Sequence, residues 1–320
     1  MEEKGKYRIY PIMVDDRNLK TVNFYLVKTD LKLVLVDAGW NNEESFALLH
    51  KTLGKNGFSI SDLDEIILTH NHIDHVGLVN RITEKYSIPV FAHKEAIPRL
   101  KRDPDFFQMR LEFYVSLYKE MGCGAEGDKR VAYLKKAMEK NSSQALETDI
   151  LPIGKEHLGF EVIEVPGHAP DQIALFDKPR GELIGGDLLL EHISSNALVE
   201  PDYEGRRLPS LIQHKNSLEN VQNLDVYRIY PGHGVVIENP HELLTKRITG
   251  IDKKAEKLKK LINQGYRTGN EIAKNFYKKS YETQFSLVMS EIIGHLDYME
   301  ANQEITKEKE DGVWHYYIVE

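Results

Sequence analysis

Three histidines and an aspartate fall within six positions: His70, His72, Asp74 and His75 in "ILTHNHIDHVGL", residues 67–78. Imidazole nitrogens and a carboxylate, with no sulfur, form a donor set for Zn²⁺ or another divalent transition metal. On a tight strand-to-helix turn, His70 and His72 share one side while Asp74 and His75 point to a neighbouring position. Four ligands cannot close two metal sites, so the reading requires donors downstream. Three stand beside glycines after strand-like segments: His168 in "VPGHAPD", Asp187 in "IGGD" and His233 in "YPGHG". Glycine next to a ligand permits close backbone approach and sharp turns. The competing reading, a run of solvated surface histidines, fits poorly with the apolar strand that delivers the chain into the cluster. No Ser-His-Asp arrangement competes. The single cysteine, Cys123, sits between two glycines far in sequence from every candidate ligand and reads as a bystander.

The elements on either side of these groups must position them. "YRIYPIMV" (7–14), "TVNFYLVKT" (21–29) and "KLVLVDAGW" (32–40) are rich in β-branched and aromatic residues and read as strands. A helix follows over 43–54, with Asn41 or Asn42 as cap, and "DEIILTH" (64–70) is a short buried strand leading into the cluster. Residues 75–86 have helical spacing and 88–93 return to strand. Residues 94–147 read instead as two or three amphipathic helices, an insert placed to cover a pocket. Its aromatics Phe106, Phe107, Phe113, Tyr114 and Tyr118 either line a cleft or, the blander and favoured reading, pack the insert against the body. Strands resume at 159–168, 172–178 and 181–187, a helix is expected over 210–222, and "VYRIYPGHG" (226–234) carries the last ligand candidate. Helices over 240–263, 268–278 (opened by Thr268) and 284–301 then precede a hairpin turning at Asp311-Gly312. That order is the order of a winged-helix module, and the boundary is placed at about residue 240.

The motif series "THNHIDHVG", "PGHAPDQ", "GGD", "PGHG" resembles the metallo-β-lactamase superfamily of hydrolases over roughly residues 7–240. The resemblance implies an α/β fold, an αββα sandwich with the metals at one edge between its sheets. The expected layout is a catalytic domain over 1–240 with the helical insert at about 94–147, and a small winged-helix domain over 241–320. It further implies that His70, His72 and His168 hold one metal, that Asp74, His75 and His233 hold a second, and that Asp187 bridges both. Asp37 in "LVLVDAGW" matches the family's buried aspartate, which orients the ligand loop without touching metal. Leu78 departs from the pattern, since many members carry a second glycine there. Two divalent ions, Zn²⁺ first and Mn²⁺ or Fe²⁺ as alternatives, would lower the pKa of a bridging water from ~15.7 to about 7. They would also polarise the substrate's carbonyl or phosphoryl oxygen. Asp74 would add a catalytic role, orienting the hydroxide or delivering a proton to the leaving group.

Asp187 in place of a cysteine ligand sets the chain apart from secreted β-lactamases, and only 45 residues separate Asp187 from His233, too few for the extra domain of nucleic-acid-processing members. Glyoxalase II enzymes share the seven-residue set but carry a different C-terminal region. The two-domain layout resembles bacterial probable metallo-hydrolases. The first expectation is hydrolysis of a small-molecule thioester, lactone or related ester. The alternative is an endoribonuclease acting on single-stranded RNA, as in a metazoan mitochondrial member with a comparable C-terminal module. Residues 251–279 carry nine Lys/Arg against three Asp/Glu, which would track phosphates or simply form a solvated face. A metal-dependent DNA-binding regulator is the third reading, and homodimerisation through the winged helix is a further expectation. With 41% hydrophobic and 29% charged residues, net charge −8, no apolar run of membrane-span length and no signal-like start in "MEEKGKYRIYPIMVDD", a cytoplasmic protein without membrane partners is expected. His192, Tyr203, Arg206 and Arg207 in loop 188–209 are candidate substrate contacts, and otherwise solvated loop residues.

Overall fold

The computed structural model of the protein describes residues 7–319; residues 1–6 of the N-terminal stretch read above, and Glu320, lie outside the described residues. The first sheet holds β1 (Arg8–Asp16), β2 (Lys20–Lys28), β3 (Leu33–Val36), β4 (Glu65–Ile67), β5 (Val90–Ala92) and β6 (Ile150–Pro152) in chain order. It is antiparallel as far as β3 and parallel from β3 to β6. The second holds β7 (Glu156–His157), β8 (Phe160–Glu164), β9 (Ile173–Asp177), β10 (Glu182–Gly186), β11 (Arg228–Pro231) and β12 (Ile237–Glu238), antiparallel except for the β10–β11 pair.

Period-2 alternation in the strands dictates the layering. Phe24 and Leu26 of β2, and Leu33 and Leu35 of β3, face an outer core with Leu49 and Leu53 of α1 (Glu43–Lys55). Their neighbours Tyr25, Val27, Val34 and Val36 face inward onto Ile173, Leu175 and Ile184 of the second sheet. Ala174, Phe176 and Leu183 point out again, onto Leu218 and Val221 of α7 (Ser210–Gln222). Each fully buried Leu, Val or Phe in these layers contributes roughly 1.5–3 kcal/mol over its exposed state. The product is an α/β/β/α sandwich, as expected. Helix α1 starts where Asn42 Oδ1 accepts the Ser45 N–H, with Glu43 and Glu44 in its first turn.

The helix expected over 75–86 is divided into α2 (Ile73–Val76) and α3 (Val79–Thr83). Between them Gly77 N–H donates to Gly39 O and Leu78 N–H to Ala38 O, so these groups serve the loop after β3 instead of a continuous helix. A Cβ on Gly77 would lie 2.2 Å from Asn41 N, which is why this turn needs glycine. Leu78 itself is fully buried in the outer core of the first sheet.

The insert forms α4 (Ile97–Leu100), α5 (Pro104–Glu120) and α6 (Gly124–Asn141). Beyond the second sheet come α8 (His241–Asn263), α9 (Gly269–Tyr277), α10 (Lys279–Thr283), α11 (Phe285–Ala301) and the hairpin β13 (Ile305–Glu310)–β14 (Val313–Ile318). Thr268 and Glu271 open α9 with a reciprocal capping box, and Asp311 and Gly312 take the positive φ of a tight hairpin turn. The short α10 is an addition to the three helices expected. Leu244 of α8 packs on the second sheet's outer core, while Ala255, Leu258 and Ile262 further along belong to another. That other core is shared: Tyr114, Leu117, Tyr118, Met121 and Cys123 of the insert pack with Ile272, Met289, Ile292, Leu296 and Tyr316 of the C-terminal region. Among the described residues no helix is long and apolar enough to cross a membrane.

Candidate metal centre

All seven residues singled out as ligands converge at one edge between the sheets. Their donor atoms form three groups, His70/His72/His168, His70/His75/Asp187 and Asp74/His75/His233, within each of which all atoms lie within 4.8 Å of one another. The turn after β4 supplies His70 and His72 and opens α2, which carries Asp74 and His75. His168 follows β8, Asp187 follows β10 and His233 follows β11. Gly232 makes the last approach feasible, since a Cβ there would stand 2.1 Å from Asp187 Oδ1.

Hydrogen bonds made outside the cluster fix which ring nitrogen points in. Asp37, held at a left-handed φ of 59°, accepts from Thr69 N (2.7 Å), from Thr69 Oγ1 (2.8 Å) and from His75 Nδ1 (2.8 Å). With its proton given to Asp37, the Thr69 hydroxyl accepts from His70 Nδ1 at 3.1 Å. His168 Nδ1 donates to Asn196 O and His233 Nδ1 to Thr21 O, both at 2.9 Å. In its neutral form each of these four imidazoles aims an Nε2 lone pair inward. His72 turns the other way, with Nδ1 3.0 Å from His70 Nε2 and 2.9 Å from His168 Nε2. Asn23 of β2 ties the His233 loop down, donating to Pro231 O (3.0 Å) and Gly234 O (2.8 Å).

Acceptors therefore meet acceptors. Asp187 Oδ2 lies 3.1 Å from His233 Nε2 and 3.4 Å from His168 Nε2, while its Oδ1 lies 3.4 Å from His75 Nε2. Asp187 Oδ1 and His75 Nε2 are buried with no hydrogen-bond partner, a costly state that a cation between them removes. Burial, with His75 and His72 close by, drives the His70 imidazole well below its ordinary range, and burial with His72 lowers His168 to about 4. Neutral rings of this kind are the form that ligates metal. At His75 burial also opposes charge, but the carboxylates of Asp187, Asp74 and Asp37 outweigh it and raise the ring to about 10. The residues fit a divalent metal on donor type, geometry and unpaired buried atoms alike.

On its open side His72 borders a cleft of about 210 Å³ whose other walls come from the insert and loop 196–201. Phe107, Leu198 and Ile73 are its apolar part, Arg99, Arg102, Arg110 and Glu200 its charged part. Arg110 grips Glu200 through Nε (2.6 Å to Oε2) and a second guanidinium nitrogen, and Tyr114 Oη lies 2.9 Å from Glu200 Oε1. Arg99, Arg102, Arg110 and Glu200 escaped the sequence reading because nothing local separates them from charged residues on a solvated face. The loop candidates do not line the cleft. Arg206 pairs locally with Asp202 and Glu204, Arg207 pairs with Asp297, and Tyr203 donates to Glu95 O. His192 packs over Gly234 instead. Of the insert aromatics only Phe107 borders the cleft, while Tyr114 and Tyr118 are buried in the shared core with Phe113 against it, and Phe106 packs on Tyr203.

Comparison with known proteins agrees with this geometry. A family model described as the Metallo-beta-lactamase superfamily matches residues 17–233. The probable metallo-hydrolase YqjP of Bacillus subtilis is 32% identical over 285 residues, which cover 88% of this chain and 88% of that protein. An atrochrysone carboxyl ACP thioesterase of Aspergillus fumigatus is 26% identical over 255 residues, 78% of this chain and 47% of that one. Among solved structures, the metallo-beta-lactamase family protein TTHA1429 from Thermus thermophilus aligns with a TM-score of 0.79 at 24% identity, over 97% of this chain and 98% of that one, a likeness of fold. A sandwich carrying a cluster of buried histidines and aspartates at its edge, matched by this family over more than half its length, belongs to the metallo-beta-lactamase superfamily, as one of its metal-binding hydrolases.

Proposed function

We propose that the chain hydrolyses a small-molecule ester, with thioesters and lactones in the same class, at a centre of two divalent ions. His70, His72 and His168 would hold one ion, Asp74, His75 and His233 the other, and Asp187, lying among His75, His168 and His233, would reach both. Zinc is the first expectation, with manganese or iron as alternatives. The observation that carries the reading is the cleft beside His72: at about 210 Å³, and walled by the insert, it suits a small substrate group better than a polymer strand. The thioesterase relative points the same way. When bound, the ions supply hydroxide at neutral pH and polarise the ester carbonyl.

The protein's own residues do the positioning. Asp37 and Thr69 lock the imidazoles in the ligating tautomer. Asp74, the least buried of the site's three aspartates, is placed to orient the attacking water and to pass a proton outward. The water oxygen joins the acyl carbon, the bond from that carbon to sulfur or oxygen breaks, and the leaving atom takes up a proton. In the endoribonuclease alternative the basic run 251–279 would track phosphates. Several of its lysines are engaged locally, Lys254 with Glu291, Lys259 with Glu256 and Glu304, and Lys274 with Glu126, which favours the ester reading. For the C-terminal region, expected from the sequence to be a winged-helix module, we propose a structural role: through the shared core it holds α5 and α6 above the site.

The test is a panel of thioesters, lactones and esters with the metal-loaded chain, where a chelator must abolish turnover. Asp187→Ala should lower turnover by roughly 10³ or more and reduce bound metal toward one ion or fewer. Two ions and full activity in that variant would overturn the bridging role. RNA cleavage with no ester turnover would replace the ester reading by the nuclease one.

A further inference from the structure

Beside the His72 cleft lies a second cavity of about 280 Å³ within the helical insert. Arg102, Phe107, Arg110 and Asn141 line both spaces, so the two adjoin, and of the pair only the first also touches His72. The inner cavity lies between α5 and α6, mostly apolar against Phe107, Leu111, Leu134, Ala137 and Met138, with Glu139 also on its wall. At ~30 Å³ for a water-sized or methylene-sized group, it has room for on the order of ten such groups. An apolar chamber with a few charged groups at its neck is the ordinary form of a small-molecule site.

Arg102 stands at the neck, and its state differs from that of the other two arginines. Arg110 is held by Glu200, and Arg99 donates to Glu95 O (3.0 Å) and Pro201 O (3.2 Å). Among the described residues the Arg102 guanidinium has no hydrogen bond and no carboxylate partner; it meets only the ring of Phe107, 5.3 Å from the centroid. Burial and the neighbouring charge of Arg110 both weigh against its positive charge, which nonetheless persists because a guanidinium does not lose its proton in water. The residue also holds a φ of 52°, a left-handed conformation that glycine would adopt freely and an L side chain adopts only at a cost. A strained backbone thus presents a cation without a carboxylate partner where the polar cleft adjoins the apolar chamber.

We propose that Arg102 determines specificity for an anionic amphiphile: the substrate is an ester or thioester whose apolar acyl group enters the α5–α6 chamber while a carboxylate or phosphate near the ester bond is gripped by Arg102. The reaction in this proposal rests on the ester-hydrolase reading; the binding does not. The planar fork of a guanidinium matches both anions in bidentate fashion. The charge comes either from a carboxylate on the acyl half or from phosphate on the leaving half.

Binding is tested by calorimetry on the metal-loaded chain with octane-1-sulfonate, methanesulfonate and octan-1-ol. The long sulfonate should bind at least tenfold tighter than either half alone. Arg102→Gln should cost it tenfold or more, and Arg102→Lys, which keeps the charge but loses the fork, should recover only part. Ala137→Phe, which fills the chamber, should weaken octane-1-sulfonate and octan-1-ol alike. Equal sulfonate affinity in Arg102→Gln and the parent, or octan-1-ol affinity indifferent to Ala137→Phe, overturns the proposal. Turnover is read as thiol release in two matched pairs: butyryl against succinyl N-acetylcysteamine, and the octanoyl thioester of 2-mercaptoethanol against that of 2-mercaptoethyl phosphate. One charged member should be preferred over its neutral mate, and Arg102→Gln should reduce that preference tenfold or more; the pair that responds identifies the half bearing the charge. A parent that prefers both neutral mates overturns the proposal. Sulfonate binding that depends on Arg102, with no thioester or ester turnover at all, sustains the anion site and removes the hydrolase chemistry assigned to it.

Discussion

Around His70, His75, His168, Asp187 and His233, ligand atoms crowd together, and wherever the rings are neutral lone pairs face lone pairs. On the far side of His72, around Arg99, Arg102 and Arg110, positive charge exceeds what Glu200 can balance. The first region is assembled from loops at strand ends, and each ring but that of His72 is aimed by a hydrogen bond from behind. The second comes from the insert and loop 196–201, and its one dominant internal tie is the Arg110–Glu200 pair. Reaction and recognition thus occupy adjacent regions with opposite electrostatic needs, one lacking cations and the other lacking an anion.

Three substitutions measure how separate the regions are. The largest effect is expected at Glu200. Glu200→Ala leaves the Arg110 guanidinium unpaired in a largely buried place, and about 3 kcal/mol should be lost in urea unfolding, the low end for a broken buried pair because Arg110 keeps some solvent access. Metal content of the folded variant should not change; if it falls, the regions are coupled. Next is Asp37→Asn, which removes a carboxylate that accepts three hydrogen bonds behind the ligands. Metal affinity, by competition with a chromophoric chelator, should drop about 10–100-fold, with little change in how the cleft binds octane-1-sulfonate. Least affected should be Cys123, whose thiol is pushed up to about 12, first by burial, and lies in the shared core. At pH 8 it should stay unlabelled by maleimide while folded and label on unfolding, and Cys123→Ala should leave turnover intact. Rapid labelling of the native chain would contradict the closed packing of insert against tail.

The contrast also decides what could be read in advance. Metal ligands must sit close together on tight turns, so "THNHIDHVG", "PGHA", "GGD" and "PGHG" concentrate the chemistry into short strings. Helices α1, α7, α8 and α9 were equally plain, because caps such as Asn42 and Thr268 and periodic apolar faces are local properties. The break between α2 and α3 was hidden, since it depends on where Gly39 and Ala38 lie after folding. The arginine cleft was hidden for a similar reason: Arg99, Arg102, Arg110 and Glu200 come together only through tertiary packing, and nothing in "RDPDFFQMR" separates a cleft arginine from a solvated one. Arg207, a candidate for substrate, found a partner in Asp297 of α11.

The core shared by Tyr114, Tyr118 and Met121 with Met289, Leu296 and Tyr316 bears on engineering as well as on packing. A chain that gained residues 94–147 alone would expose those aromatics to water, and one that gained only the tail would expose their partners. The two segments, some hundred residues apart in sequence, depend on each other for burial. Whoever wishes to transplant this enzyme's selectivity onto another scaffold must move both, or neither.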